Sequence, residues 1–215
     1  MKVDSGRLYV AGGPTGRITV YDIASPSVVA AFETGSGGFL NDLVVTPNGI
    51  FVTDSLRPIL WRVTAEQIAA GGGTPEAIPV SPEIPFGAGF ALNGIVAFGD
   101  GSELIVVHSA LGTLYKITFS GSGRTITTVS APTLNGDGLL RDRGRLVVVL
   151  GNTHELAFLK LKDNRTTAEL VETRTDSTFQ RPSTIARAHN RYLVVNADFT
   201  TNTPPFTLSA VPRKG

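Results

Sequence analysis

Phe39-Leu40-Asn41-Asp42-Leu43-Val44-Val45-Thr46-Pro47-Asn48-Gly49-Ile50-Phe51-Val52-Thr53-Asp54-Ser55 decides how this chain is read. A polar residue opens it, an apolar strand follows, a Pro-Asn-Gly turn reverses the chain, and a second β-rich strand ends in another polar residue. Weakened copies recur downstream. One runs over 93–98, turns at Gly99-Asp100-Gly101 and returns over 103–108; another runs over 137–140, turns at Asp142-Arg143-Gly144 and returns over 145–150. A last one runs over 183–186, turns at Ala188-His189-Asn190 and returns over 192–196. The first strands of these copies start at Asn41, Asn93, Asp137 and Ser183, spaced 52, 44 and 46 residues apart.

The copies before the last are each followed by two more β-rich runs, such as 58–63 and 77–80, or 113–117 and 125–129. Four strands every 40 to 50 residues is the pattern of propeller blades, each a twisted sheet packed on its neighbours around a central channel. The expected fold is therefore all-β, a β-propeller of four-stranded blades, in one domain over 1–215 with repeats at about 1–38, 39–88, 89–134, 135–180 and 181–215. A short helix over 65–70 is expected before the turn Gly71-Gly72-Gly73. The first repeat enters late in an inner strand and the fifth stops before an outer one. Either the ring is five-bladed with irregular closure, or it is a six-bladed ring lacking its N-terminal blade; the second is the expectation.

Composition agrees. With 24 Gly and 13 Pro among 215 residues and only 17% charged residues, short strands and tight turns are favoured over helices. A net charge of +1 with scattered basic residues offers no field for nucleic acid or an anionic membrane surface. No apolar run reaches the roughly 18 residues of a membrane span, and residues 1–4 lack the apolar core of a signal peptide. The expectation is a soluble protein, cytoplasmic by default. Zero Cys excludes disulfides, thiolate metal sites and cysteine nucleophiles.

The phrases Leu40-Asn41-Asp42-Leu43-Val44, Leu92-Asn93-Gly94-Ile95-Val96 and Gly136-Asp137-Gly138-Leu139-Leu140 resemble the inner strands of the calcium-dependent gluconolactonase and senescence-marker-protein family of six-bladed propellers. The repeat pattern also has a more distant similarity to strictosidine-synthase-like proteins. The resemblance covers essentially the whole chain. It implies a divalent cation, commonly calcium, held by a Glu of the first blade and by an Asn and an Asp of inner strands, with another Asn close by. On this sequence Asn93 looks like the metal-ligating Asn, Asp137 like the metal-ligating Asp that also serves as general base, and Asn41 like the auxiliary Asn. The Glu has no counterpart, so weaker metal binding is expected.

Equivalent positions of successive blades should converge, which makes Asn41, Asn93, Asp137 and Ser183 one polar ring. Carboxylate and amide oxygens are hard donors that suit Ca²⁺. A bound cation would polarise a lactone or ester carbonyl while Asp137 or a metal-bound water supplies the base or nucleophile. The plainer alternative is that these side chains satisfy nearby backbone groups. Gly12, Asp54, His108, Leu150 and Asn196 end the second strands in matching positions, and Asp54 and His108 are candidates for substrate binding or proton transfer. His154 and His189 fall in turns without spaced partners, against a zinc or copper site. Trp61 and Tyr115 share the third-strand position and read as packing between blades.

The leading function is a metal-dependent, lactonase-like hydrolase of a small cyclic ester, or a remnant of one. The alternative is a non-catalytic propeller that binds a small ligand or a protein. A homodimer through the incomplete terminal blades is a further expectation.

Overall fold

The computed structural model describes residues 1–213 except Ala88, Ser122, Thr200 and Asn202. The chain divides into two compact units, Met1–Val106 with Tyr115–Thr127, and Val107–Leu114 with Thr128–Gly215.

In the first unit, β1 (Lys2–Asp4), β2 (Arg7–Ala11), β3 (Arg17–Asp22) and β4 (Ser27–Glu33) form an antiparallel sheet in chain order. A second antiparallel sheet follows with β5 (Leu40–Thr46), β6 (Gly49–Asp54), β7 (Ile59–Thr64) and β8 (Glu76–Pro79). Between its last two strands lies the short helix α1 (Ala65–Ala69). Thr64 caps it: the hydroxyl accepts the Gln67 N–H while the Gln67 side chain accepts the Thr64 N–H. The third sheet, again in chain order, is β9 (Leu92–Phe98), β10 (Glu103–His108), β11 (Thr113–Ser120) and β12 (Gly123–Val129). The tip of its β10–β11 hairpin is grouped with the second unit.

The second unit holds β13 (Leu139–Asp142), β14 (Arg145–Leu150), β15 (Glu155–Lys162) and β16 (Thr167–Thr175) as a four-stranded antiparallel sheet. Its other sheet has three described strands, β17 (Pro182–Ala188), β18 (Arg191–Asn196) and β19 (Thr207–Pro212). The architecture is thus an all-β propeller of four-stranded blades, with three strands in the last one among the described residues. As the spacing predicts, first strands fall one per repeat; they begin at Leu40, Leu92, Leu139 and Pro182. Asp137, expected to start its strand, lies two residues ahead of β13 because the chain bulges there.

Period-two alternation explains why the second sheet is apolar on both faces. Ile50, Val52, Trp61 and Val63 point into a core shared with Tyr9, Ile18, Val20 and Phe32 of the first sheet. Their neighbours Phe51 and Leu60 point the other way, into a core with Leu92, Ile95, Leu104, Val106 and Tyr115 of the third. Every residue of β6 is consequently buried. Trp61 and Tyr115 pack between adjacent sheets, as their shared position suggests. In the second unit, Val147, Val149, Leu156 and Phe158 pack on Ile185, Tyr192, Val194 and Val211 in the same manner. Burial of each such side chain is worth about 1.5–3 kcal/mol. The β5–β6 turn tolerates only glycine: Gly49 has φ +123° and a Cβ there would lie 2.1 Å from the Val63 carbonyl oxygen.

Candidate functional site

Asn41, Asp137 and Ser183, three of the residues expected to form one polar set, sit on β-bulges. In the second sheet Leu40 pairs with Asp54 and Leu43 with Val52, so Asn41 and Asp42 together face Thr53. Asp137 donates its N–H to the Val149 carbonyl at 2.9 Å, while the Val149 N–H bonds the Gly138 carbonyl at 2.9 Å. Two residues again face one. In the last sheet Pro182 pairs with Asn196 and Thr184 with Val195, which leaves Ser183 as the extra residue. A bulge turns a side chain out of the regular alternation, and such bulges concentrate next to active sites. Asn41 and Asp137 remain partly exposed, whereas Asn93 and Ser183 are nearly buried.

The residue just before each member of this set is held by the preceding sheet, from one or two positions after its second strand. Gly13 and Leu40 exchange two backbone hydrogen bonds at 3.0 and 3.1 Å. Ser55 donates its hydroxyl to the Leu92 carbonyl at 2.5 Å. Ser109 does the same to the Gly136 carbonyl at 2.5 Å. At Gly151 the contact is steric, since a Cβ there would lie 2.8 Å from the Pro182 carbonyl oxygen. Leu40, Leu92, Gly136 and Pro182 immediately precede Asn41, Asn93, Asp137 and Ser183. The equivalence expected from sequence spacing therefore has a repeated physical cause within each unit.

In the first unit Ser55 is wholly buried and also accepts the Asn41 Nδ2–H at 2.8 Å, which fixes that amide with its oxygen turned away from Ser55. Asp42, beside it in the bulge, is structural. Its Oδ1 accepts the Leu43 N–H at 2.8 Å and faces Lys2 Nζ at 3.4 Å, and its Oδ2 accepts the Ile95 N–H at 3.4 Å. Asp42 thus ties the second sheet to the first and the third.

The residues ending the second strands serve their own loops. Asp54 is 0% exposed; its Oδ1 accepts the N–H groups of Phe39, Leu56 and Arg57 at 2.9, 3.1 and 3.1 Å. Its Oδ2 accepts Arg57 Nε at 2.7 Å and Trp61 Nε1 at 3.2 Å. Burial pushes the Asp54 carboxyl up, but the bonds from Phe39, Arg57 and Trp61 outweigh it and hold the group below its ordinary value. His108 is buried and its Nδ1 accepts the Leu111 N–H at 3.2 Å. Asn196 accepts the Gln180 N–H at 3.0 Å and donates to the Thr178 carbonyl and to Thr207 and Ser209. His154 and His189 occupy turns, as expected.

A divalent cation can be judged only by the donors present. The amide oxygens of Asn41 and Asn93 and the carboxylate of Asp137 are of the right chemical type for calcium. No group of three or more His, Cys, Asp or Glu side chains is placed to hold a metal among the described residues. The carboxylates of Asp42 and Asp54 are already engaged by protein donors.

No protein-family model matches the chain, and no curated protein sequence matches it. Among solved structures it is similar to a catalytically inactive virginiamycin B lyase from Staphylococcus aureus with quinupristin, with a TM-score of 0.64 and 13% identity over 100% of this chain and 83% of that one. It is also similar to a periplasmic gluconolactonase from Pseudomonas aeruginosa, with a TM-score of 0.60 and 15% identity over 96% of this chain and 67% of that one. The chain spans only 58% of the selenomethionine-substituted form of the Staphylococcus aureus lyase, with a TM-score of 0.61 and 14% identity over 87% of its own length. At these identities the likeness is one of fold.

Proposed function

We propose that this propeller is a lactonase-like hydrolase of a small cyclic ester. The observation that carries the reading is the bulge at Asp137: of the four equivalent, carbonyl-anchored positions, it alone bears a carboxylate, and that residue keeps partial exposure. Fold likeness to a gluconolactonase supports the choice of lactones for the first assays.

Asp137 acts as the general base. It takes a proton from the water that adds to the lactone carbonyl, and returns it to the ring oxygen as the C–O bond breaks. Asn41, whose amide is fixed by Ser55, and Asn93, at the equivalent position, are suited to orient a carbonyl or to supply oxygen ligands. In the second unit Asp137 is the carboxylate that would hold a divalent cation, with Ser183 as a neutral oxygen donor; in the first unit Asn41 and Asn93 carry amide oxygens of the same hard donor type. When bound, such a cation polarises the ester carbonyl as a Lewis acid.

Turnover of δ- and γ-lactones by the unaltered chain and by Asp137→Ala tests the proposal. The substitution is expected to lower kcat by about 10²-fold or more, the usual contribution of a positioned base. Equal turnover by both proteins would remove Asp137 from the mechanism. In calorimetry with calcium alone, binding is expected at about 10⁻⁴–10⁻³ M and lost in Asp137→Ala. Binding that the substitution leaves unchanged would dismiss the metal.

A non-catalytic binding propeller is the second reading. The inward engagement of Asp54, His108 and Asn196 favours it, because those side chains are occupied with their own loops. Ligand binding without turnover of any lactone would select it.

A further inference from the structure

Basic residues that lie scattered in the sequence gather at one end of the second unit. The hairpin between β13 and β14 carries Arg141, Arg143 and Arg145, and the one between β17 and β18 carries Arg187 and Arg191. Asp142 joins the two hairpins. Its Oδ2 accepts the Tyr192 hydroxyl and Arg213 Nε, each at 2.6 Å, and its Oδ1 accepts Arg213 Nη2. Arg187 Nη1 stands 3.8 Å from the same Oδ1. Tyr192 is the strand partner of Arg187, and Arg191 is the partner of Pro212, just before Arg213.

The connection between β15 and β16 adds more positive charge. Arg145 lies directly across from Lys160, and Lys162 and Arg165 follow at the end of β15 and in the short 3₁₀ turn after it. Partial burial, and then the charge of Arg165, lower the pKa of Arg141. This concentration works against folding, since like charges directly opposite in a sheet destabilise the pair, as Arg145 and Lys160 do. The nearby carboxylates are already engaged. Asp142 takes Arg213; Glu169, across β16 from Lys160, takes Lys162 Nζ at 2.5 Å; Glu172 takes Arg174 and, at 3.4 Å, Arg145 Nη1. Arg141, Arg143, Lys160 and Arg191 are exposed, and the Arg187 side chain is 57% exposed.

An anionic partner offsets such a cost. Guanidiniums outnumber ammoniums here, and their planar forks match carboxylates, as Arg213 already shows on Asp142. The whole chain carries a net charge of only +1, so the field of this end is local and fades over about 8 Å in physiological salt. A long polyanion, whose capture draws on many phosphates at once, gains little from so short a patch. A short acidic stretch of polypeptide fits it. We infer that this end of the second unit is a docking surface for an acidic segment of a partner protein, read by the exposed guanidiniums and Lys160.

The probe is a short, end-capped peptide of alternating glutamate and serine, followed by fluorescence anisotropy on the full chain. It should bind, and more weakly as salt is raised, whereas the same peptide with glutamine for glutamate should not bind. Arg143→Gln and Lys160→Gln should each weaken binding about two- to fivefold, the effect of one exposed charge pair, and the double variant about tenfold. Arg17→Gln, which removes the same charge from the first unit, should change nothing. Lys160→Gln should hold or raise the urea midpoint while it weakens binding, because it relieves the repulsion with Arg145. Absence of binding, binding unmoved by both substitutions, equal weakening by Arg17→Gln, or weakening that only accompanies a lower midpoint overturns the inference. So does tighter binding of a thymidine oligonucleotide or of phosphatidylserine vesicles, or a dimer of the chain that excludes the peptide.

Discussion

Asp54 and Asn196 end the second strands of their sheets, and each accepts the N–H of the segment leading into the first strand, Phe39 in one case and Gln180 in the other. One does so as an anion with Arg57 and Trp61 behind it, the other as an amide among Thr178, Thr207 and Ser209. In these two sheets the acceptor serves whether it is charged or neutral. A polar residue there is accounted for by the chain reversal it secures, so it argues little for chemistry. The bulge residues of the neighbouring first strands are different, because their backbones are held by the preceding sheet while their side chains vary from amide to carboxylate to hydroxyl.

That contrast can be broken experimentally. Asp54→Ala leaves the Arg57 guanidinium and four further N–H donors without their acceptor, and should cost about 3–5 kcal/mol in urea unfolding. Asn196→Ala, which strands only neutral groups, should cost about 1–3 kcal/mol. Equal losses would mean that the charge at Asp54 adds nothing.

Acid should separate the two sites next. The carboxyl of Asp54 is depressed below its ordinary value of 3.8 in the folded protein, so its stabilisation is complete above that pH and disappears as pH falls through the depressed value. Asn196 does not titrate. Hydrogen exchange below pH 3.8 should therefore show the Phe39 amide losing protection while the Gln180 amide keeps it. Simultaneous loss would point instead to global unfolding, to which the similarly depressed Asp142 contributes. Burial acts to raise that carboxyl, and its bonds to Arg213 and Tyr192 outweigh the effect.

The smallest effect sharpens the other half of the comparison. Ser55→Ala removes the hydroxyl that anchors the Leu92 carbonyl and positions the Asn41 amide, at a cost of about 1 kcal/mol. Its influence on ligand or calcium affinity should exceed its influence on unfolding. A change confined to stability would make the anchor merely structural.

Much of this was legible in the sequence, and what was not has a common cause. Alternating runs ending at Asp54, His108, Leu150 and Asn196 announce second strands, and the matched Trp61 and Tyr115 announce packing between sheets, because both depend on local periodicity. The short helix expected over 65–70 is likewise kept, as α1. Asp42-Leu43 and Asp137-Gly138 carry no local mark of a bulge, since a bulge is defined by the partner strand. Asp137 was expected inside its strand because Asp137-Gly138-Leu139-Leu140 aligns with the first strands that open at Asn41 and Asn93. The bond from Ser55 to the Leu92 carbonyl joins residues of different repeats, so no single repeat contains its signal. Ser55 and Ser109, each directly after a second strand, were the one available clue to the anchors.

Those anchors also decide where the chain can be recut. Gly13, Ser55, Ser109 and Gly151 belong by sequence to one repeat and act on the next, so a repeat transplanted whole would bring its own first strand without the residue that seats it. Chimeric propellers made from this chain should be joined between the first and second strands, in turns such as Pro47-Asn48-Gly49 or Asp142-Arg143-Gly144. Each exchanged module then carries a second strand, its anchoring residue and the first strand that residue holds.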